Sequence, residues 1–163
     1  VFRDEDALDL VRQAVFLQEV AHSGIAFSVA SSDLLDREVR CDRHQFGQAM
    51  TNVLKNAVEA VEARAAEGRG EYAGEIAVTI ADAGEAIMVT IDDNGIGLPA
   101  DRERLTEPYV TTREKGTGLG LAIVNKIVDE HGGDMSFAST SSGGTRVTLR
   151  FARNPHVVEG SPA

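Results

Sequence analysis

Residues 93–97, Asp93-Asn94-Gly95-Ile96-Gly97, join the end of a predicted strand, where a carboxylate stands, to a turn that contains two glycines. Isoleucine or valine recurs at every second position over residues 87–91, a period of two that is typical of a half-buried strand. Asp93 continues this period, so its side chain should point toward the apolar face. A carboxylate there is costly unless hydrogen bonds are donated to it. Asp93 is therefore either a ligand-binding group or a cap for the next turn, and Gly95 and Gly97 would let backbone and ligand approach closely.

A long helix is predicted from Asp42 to about Glu67. Asp42 can cap this helix, with Gln45 three positions later in the capping-box arrangement. Asn52 and Asn56 lie four residues apart on one helical face, outside the apolar stripe. The stripe consists of Phe46, Met50, Val53, Leu54, Ala57, Val61 and Ala65. Two such asparagines are most often part of a solvated face, but an amide oxygen also suits Mg²⁺, and the helix would place one at Asn56 with Asn52 beside it.

A glycine-rich stretch, Lys115-Gly116-Thr117-Gly118-Leu119-Gly120-Leu121, leads into an apolar helix that ends at residues 132–133. Backbone N–H groups at the start of this helix could bind phosphate oxygens, aided by the helix dipole. Asp93 could accept a hydrogen bond from the adenine amine. An adenine site at Asp93 and a phosphate site at the start of this helix together fit ATP. No GxxxxGK[ST] sequence occurs, and one residue rather than two precedes the third glycine, so neither a P-loop nor a dinucleotide-binding fold is supported.

The remaining segments complete a two-layer α/β sandwich, in which helices cover one face of a mixed sheet. They are a helix from Asp4 to Ala21, two strands at a sheet edge over residues 25–29 and 38–41, a strand over 76–80, a hairpin turn over 82–85 and a closing hairpin over 137–151. In the closing hairpin, Thr145 shares the inner face with the apolar residues. The long connection from Leu98 to Lys115 is typical of a functional lid or a linker.

Composition favours a single globular domain over about residues 1–153, followed by a tail over 154–163 that frays. The 163 residues are 42% hydrophobic and carry a net charge of −10, which argues against a nucleic-acid partner. No apolar run reaches the roughly 20 residues of a membrane span and no signal peptide is evident, so we expect a cytoplasmic domain without membrane contact. The single Cys41 is interpreted as a packing residue, and the four histidines lack the spacing of metal ligands.

Five ordered segments resemble the N, G1, F, G2 and G3 boxes of sensor histidine kinases. They are Gln48–Ala57, Asp93–Gly97, Glu107–Thr112, Gly116–Leu121 and Gly143–Thr145. The resemblance implies the Bergerat ATP-binding fold shared by the GHKL group, which includes gyrase, Hsp90 and mismatch-repair ATPases, with an ATP lid over about 98–115. The segment from Tyr109 to Gly120 looks especially like nitrogen-regulation kinases of the NtrY type.

Two roles implied by the resemblance coincide with those suggested by the residues themselves: Asn56 matches the Mg²⁺-binding asparagine and Asp93 the adenine-binding aspartate. Further nucleotide contacts are implied at Asn52, Gly95, Gly97, Tyr109, Thr111, Thr112, Arg113, Lys115, Gly116, Thr117, Gly118, Leu119, Gly120, Leu121 and Thr145. Two positions depart from the family pattern. Thr106 stands where the F box begins with an aromatic residue, and Glu59 where a basic residue is frequent.

Asn52 distinguishes classes within this fold, because gyrase-like and Hsp90-like ATPases carry a glutamate there to activate water and an amide cannot take that proton. The resemblance therefore implies a catalytic domain that transfers the γ-phosphoryl group of Mg-ATP, with Asn52 and Asn56 as catalytic residues. None of the four histidines has the sequence context of a phosphoacceptor. The acceptor should lie in a separate dimerisation domain of a longer, homodimeric kinase that acts on a response regulator, whereas this segment alone should be monomeric.

Two other functions are compatible with the same residues. The chain could be a stand-alone ATPase of the gyrase type, or a degenerate domain that binds nucleotide or a partner without transferring a phosphoryl group.

Overall fold

The computed structural model describes residues 1–31, 36–68, 70–97 and 118–155. Within these ranges the elements follow in the order β1 (Phe2–Asp6), α1 (Ala7–Ala21), β2 (Ala26–Ala30), β3 (Glu38–Asp42), α2 (Arg43–Ala66), β4 (Glu75–Asp82), β5 (Ala86–Asp93), α3 (Gly118–Glu130), β6 (Asp134–Ser139) and β7 (Thr145–Ala152). The predicted lid lies outside the described residues, as do residues 156–163 of the predicted tail.

A five-stranded sheet of order β2-β4-β5-β7-β6 forms one layer of the molecule. Strand β2 runs parallel to β4, and the other neighbours are antiparallel, so the sheet is mixed as predicted. Every second residue of the three central strands is buried against the helices. These residues are Ile76, Val78, Ile80, Ile87, Val89, Ile91, Val147, Leu149 and Phe151. The predicted two-layer α/β sandwich with helices on one side is confirmed.

Helix α2 lies at the centre of the helical layer and packs against α1, α3 and β5. Its N-cap is the predicted Asp42, whose carboxylate accepts a hydrogen bond from the backbone N–H of Gln45 at 3.0 Å. The apolar stripe is buried as predicted up to Val61, whereas Ala65 is exposed in the last turn. The backbone N–H of Asp42, which a capping box would direct to Gln45, instead donates to Nε2 of His131 at 3.2 Å.

The prediction that Asp4, Glu5 and Asp6 begin a helix is wrong. These residues belong to β1, which pairs antiparallel with β3 in a separate two-stranded sheet. Helix α1 starts only after Asp6, which is its N-cap and accepts from the backbone N–H of Asp9. The acidic signal was local, while the pairing with β3 joins segments more than 30 residues apart and overrides it.

The two strands predicted to share one sheet edge lie in different sheets. Strand β2 forms the edge of the main sheet beside β4, as predicted. Strand β3 instead pairs with β1, so its placement at that edge is wrong. Cys41 of β3 is fully buried, which confirms its packing role, and burial raises the pKa of its thiol to about 12.

None of the helices in the described part of the chain combines the length and the apolar character that crossing a bilayer requires.

Candidate functional site

Asp93 is the last residue of β5, and its side chain lies on the helix-facing side of the sheet. Only 6% of its surface is exposed. One carboxylate oxygen accepts a hydrogen bond from the backbone N–H of Gly95 at 2.8 Å, which fixes the orientation of the carboxyl group. Thr145 of β7 is its direct partner across the strands and is also buried. A carboxylate and a hydroxyl therefore end an inner face that is otherwise apolar.

The turn after β5 rests directly on helix α2. The backbone N–H of Ile96 donates to the carbonyl oxygen of Ala60 at 3.2 Å, and a Cβ on Gly95 would overlap the Ala60 backbone. Asn56 precedes Ala60 by one helical turn and so lies on the same side of α2. Its amide nitrogen is buried. Asp93 and Asn56 therefore face the same region, between the end of the sheet and α2.

Helix α3 brings its first turn to the level of the two asparagines. Helices α2 and α3 pack together, and the hydrogen bond from Asp42 to His131 joins the start of α2 to the end of α3, so the helices are antiparallel. At 1.5 Å per residue, Asn52 and Asn56 lie about 15 and 21 Å along α2 from Asp42. Gly120 lies about 17 Å along α3 from His131. The predicted phosphate-binding turn and the predicted metal ligand are thus level on neighbouring helices.

Two glycine turns close the other side of this region. Gly97 has a φ of 86°, which favours glycine, and a Cβ there would overlap the carbonyl oxygen of Gly143. A Cβ on Gly144 would overlap the carbonyl oxygen of Asp93. The turn after β5 and the turn before β7 consequently pack backbone to backbone, and neither could do so with larger residues.

The sequence interpretation missed two side chains that hold these turns. Arg64, near the end of α2, donates to the carbonyl oxygens of Asn94 at 2.9 Å and of Ser142 at 3.3 Å, and so connects the two turns. Its guanidinium also lies 4.8 Å from the centre of the Tyr72 ring. The Tyr72 hydroxyl lies 3.0 Å from two oxygens of Asn94, and burial raises its pKa, which keeps it a donor. A basic residue in a last helical turn gives no sequence signal for this contact.

Asn94 fixes the edge of the same turn to β4. Its side-chain oxygen accepts from the backbone N–H of Glu75 at 2.8 Å, and its amide nitrogen donates to the carbonyl oxygen of Ala73 at 2.8 Å. The role of the Asn94 side chain was not predicted from the sequence. The position of Asp93 is therefore set by its neighbours on both sides.

Several predicted contacts lie outside the described residues and stay predictions. They are Tyr109, Thr111, Thr112, Arg113, Lys115, Gly116 and Thr117. Gly118, Leu119, Gly120 and Leu121 form the first turn of α3. Glu59, at the second departure from the family pattern, is half-buried on α2.

The described residues offer a buried acceptor at one end, two amides in the middle and a helix N-terminus at the other end. The acceptor suits an exocyclic amine, and the helix start suits an anion. Among these residues no group of three histidine, cysteine or carboxylate side chains could hold a metal ion by itself. A Mg²⁺ ion at the Asn56 amide would therefore need oxygens from the ligand or from water.

Comparisons with known proteins give one consistent result. The family of histidine kinase-, DNA gyrase B- and HSP90-like ATPases matches residues 41–155. Nitrogen regulation protein NtrY of Azorhizobium caulinodans is 46% identical over 144 residues, which are 88% of this chain and 18% of that protein. The chain thus spans less than a fifth of that relative.

Solved structures agree with this match. The nucleotide-free catalytic domain of histidine kinase ThkA superposes with a TM-score of 0.78 at 29% identity, covering 96% of this chain and 98% of that domain. ThkA in complex with the response regulator protein TrrA gives a TM-score of 0.76 at 26% identity, covering 95% of this chain and 42% of the other.

Proposed function

The chain belongs to the family of histidine kinase-, DNA gyrase B- and HSP90-like ATPases, and we propose that it binds Mg-ATP and transfers the γ-phosphoryl group to a histidine on a separate domain. The observation that carries this proposal is the placement of Asp93 and Asn56. A buried, oriented carboxylate at the end of β5 and an amide on α2 face the same region, and closely packed glycine turns hold the end of β5 in place.

Each end of the site would bind one part of the nucleotide. Asp93 would accept a hydrogen bond from the adenine amine, and the neighbouring Thr145 hydroxyl would lie beside the base. The phosphates would extend along α2 toward the first turn of α3, where backbone N–H groups and the helix dipole favour negative charge. Tyr109, Thr111, Thr112, Arg113 and Lys115, with the glycine-rich stretch that follows them, would cover the phosphates from the lid.

Asn56 would hold the metal through its side-chain oxygen, with Asn52 about one helical turn away near the ion or its water shell. Bound Mg²⁺ would offset negative charge on the β and γ phosphates. The protein then contributes mainly by positioning the phosphates in line with the acceptor. Because the Asn52 amide cannot take a proton from water, we expect transfer to exceed hydrolysis.

The partners follow from this chemistry. The acceptor histidine would lie in a dimerisation domain of a longer kinase, and the next acceptor would be an aspartate on a response regulator. Residues 1–153 would form the cytoplasmic catalytic domain, monomeric by itself within a homodimeric parent. The match to NtrY places nitrogen regulation among the processes to test first.

The proposal is tested by mixing this chain with the phosphoacceptor domain of its parent kinase and ATP labelled at the γ position. We expect an acid-labile phosphohistidine on the acceptor, which Asp93→Ala abolishes. Steady ATP hydrolysis that Asn52→Ala removes would instead show a stand-alone ATPase. No binding of ATP analogues, with or without Mg²⁺, would leave only a partner-binding module.

A further inference from the structure

His131 is a buried histidine that the proposed ATP chemistry does not use. It follows α3 directly, and its side chain is completely buried. Nδ1 lies 2.8 Å from the carbonyl oxygen of Ile127, and Nε2 accepts the backbone N–H of Asp42 at 3.2 Å. Since a carbonyl oxygen can only accept, Nδ1 must carry the proton and Nε2 the lone pair. The geometry therefore requires the neutral ring in a single tautomer.

Aromatic side chains leave this ring little freedom to turn. Phe2 of β1 stacks on it with ring centres 4.6 Å apart, and Phe151 of β7 meets its edge at 5.8 Å. The backbone carbonyl of His131 also accepts from the N–H of Ala152 at 3.1 Å. The imidazole is thus fixed to β1 and β7 while it binds the start of α2.

The hydrogen bond from Asp42 to His131 joins two helices that both lead to the proposed ATP site. Asp42 begins α2, which carries Asn52 and Asn56, and His131 ends α3, whose first turn contains Gly120. Along each helix, the distance from this hydrogen bond to the site residues is about 15 to 21 Å. Over this length, a rotation of about 5° at the hydrogen bond moves the far end of the helix by about 1.5 Å, and about 1 Å of misplacement can reduce a rate roughly a hundredfold.

We propose that His131 is a positioning residue for the ATP site, because its bond to Asp42 sets the spacing between the asparagines of α2 and the phosphate-binding start of α3. This inference rests on the proposed function. The adenine end of the site contacts α2 only near Ala60 and Arg64 and is also held by β5, β7 and the two glycine turns, so loss of the bond should affect the triphosphate and the metal more than the base.

Protonation would remove the acceptor and place an N–H against the N–H of Asp42. Burial lowers the pKa of His131, whereas the carboxylates of Asp42 at the start of α2 and of Glu130 at the end of α3 act in the opposite direction. The hydrogen bond from Asp42 to His131 is therefore present at neutral pH and is lost as the ring becomes protonated at lower pH.

The test compares two variants with a matched control in the 163-residue chain. His131→Leu introduces an apolar side chain of similar size and removes the acceptor, while His131→Gln replaces the ring nitrogen with an amide oxygen that can accept from Asp42. Ile80→Val, in the buried face of β4, is a mild core substitution remote from this hydrogen bond. Calorimetry with a non-hydrolysable ATP analogue and Mg²⁺, and a titration with adenosine, are run on each after thermal unfolding confirms folding.

We expect His131→Leu to weaken binding of the Mg²⁺-loaded analogue about tenfold and adenosine less than twofold, with partial recovery in His131→Gln and no change in Ile80→Val. In the unsubstituted chain, affinity for the Mg²⁺-loaded analogue should fall with acidification in step with protonation of His131. The ¹⁵N chemical shifts of the imidazole measure that protonation. That step should be absent in both His131 variants.

Equal loss of adenosine and analogue binding, or no loss of either, would overturn the inference while leaving the proposed function intact. If neither His131 variant folds, the pH titration of the unsubstituted chain decides, and an affinity that ignores His131 protonation would overturn it. Failure of the unsubstituted chain to bind nucleotide at all would refute the proposed function instead.

Discussion

The inner and outer faces of the sheet, at the end of β5, hold two adjacent carboxylates in opposite environments. Asp93 points toward the helices, is buried and accepts from Gly95. Asp92 points away, is 30% exposed and forms a two-bond ion pair with Arg146 of β7 at 2.7 and 2.8 Å. The residue type and the strand are the same. Only the alternation of the strand decides which carboxylate is buried at the candidate site and which forms a surface ion pair.

The neighbouring strand shows the same division. Thr145 opposes Asp93 on the inner face, and Arg146 opposes Asp92 on the outer face, where the carboxylate raises the pKa of the guanidinium. A shift of one residue in the register would exchange the two faces. The backbone contacts of Asn94, Gly95 and Gly144 around the end of β5 therefore hold the register that keeps Asp93, and not Asp92, on the inner face.

Asp93→Asn should give the largest effect on binding. The amide oxygen can still accept from Gly95, so we expect the free energy of unfolding to change by less than about 1 kcal/mol. An amide nitrogen would replace one acceptor facing the adenine amine, and affinity for ATP should fall about a hundredfold or more. Calorimetry measures the affinity and urea denaturation the stability. Asp92→Asn is the matched control, and equal losses of affinity in both variants would show that the inner position of Asp93 does not matter for binding.

Gly144→Ala tests whether the inner face depends on the close contact between the two turns. The new Cβ would overlap the Asp93 carbonyl oxygen, so we expect about 1–3 kcal/mol of destabilisation and a weaker ATP affinity. Gly24→Ala adds a Cβ where nothing lies within 4 Å and should change stability by less than about 0.5 kcal/mol. Chemical denaturation of both variants measures the difference, and indistinguishable curves would refute the contact.

Asn56→Ala tests the inner region from the helix side. Removing the amide oxygen should abolish the increase in ATP affinity that Mg²⁺ provides, about tenfold, and leave affinity without Mg²⁺ nearly unchanged. Calorimetric titrations with and without Mg²⁺ make the measurement. Asn125→Ala, at an exposed position of α3, is the control. A loss that is the same in both conditions would assign Asn56 to the nucleotide rather than to the metal.

Asp92→Asn by itself should have the smallest effect. An exposed ion pair contributes about 0–1 kcal/mol and is screened by salt, so the variant should lose less than about 1 kcal/mol at low ionic strength and nothing at high salt. A double-mutant cycle with Arg146→Gln isolates the pair. Coupling well above about 1 kcal/mol would mean that the outer face stabilises the end of β5 more than its exposure suggests.

Regular elements with local signals could be predicted from the sequence. Alternation over residues 76–80 and 87–93 gave the central strands and the inward direction of Asp93, and Asp42 marked the start of α2. Contacts between distant segments could not be predicted in the same way. The pairing of β1 with β3 has no local signature, and the acidic residues of β1 imitated a helix start.

The same limit applies to the candidate site. Asp93 was identified because it places a carboxylate where the period of β5 predicts a buried side chain. Asn56 was identified because it shares one helical face with Asn52, outside the apolar stripe. Arg64, Tyr72 and His131 act through tertiary contacts with the turns and helices, so no spacing rule singled them out. Their roles became visible only when the hydrogen-bond partners were known.

The proposed function requires that the inner face bind the two ends of Mg-ATP through Asp93 and Asn56. The most direct measurement is a residue-resolved NMR titration of the ¹⁵N-labelled chain with Mg²⁺ and a non-hydrolysable ATP analogue. We expect the largest shifts at Gly95, Thr145, the Asn56 side chain and the first turn of α3, with the Arg146 side-chain signal nearly unmoved. Saturable shifts confined to the outer face or to the exposed side of α1, or no shifts at all, would contradict it.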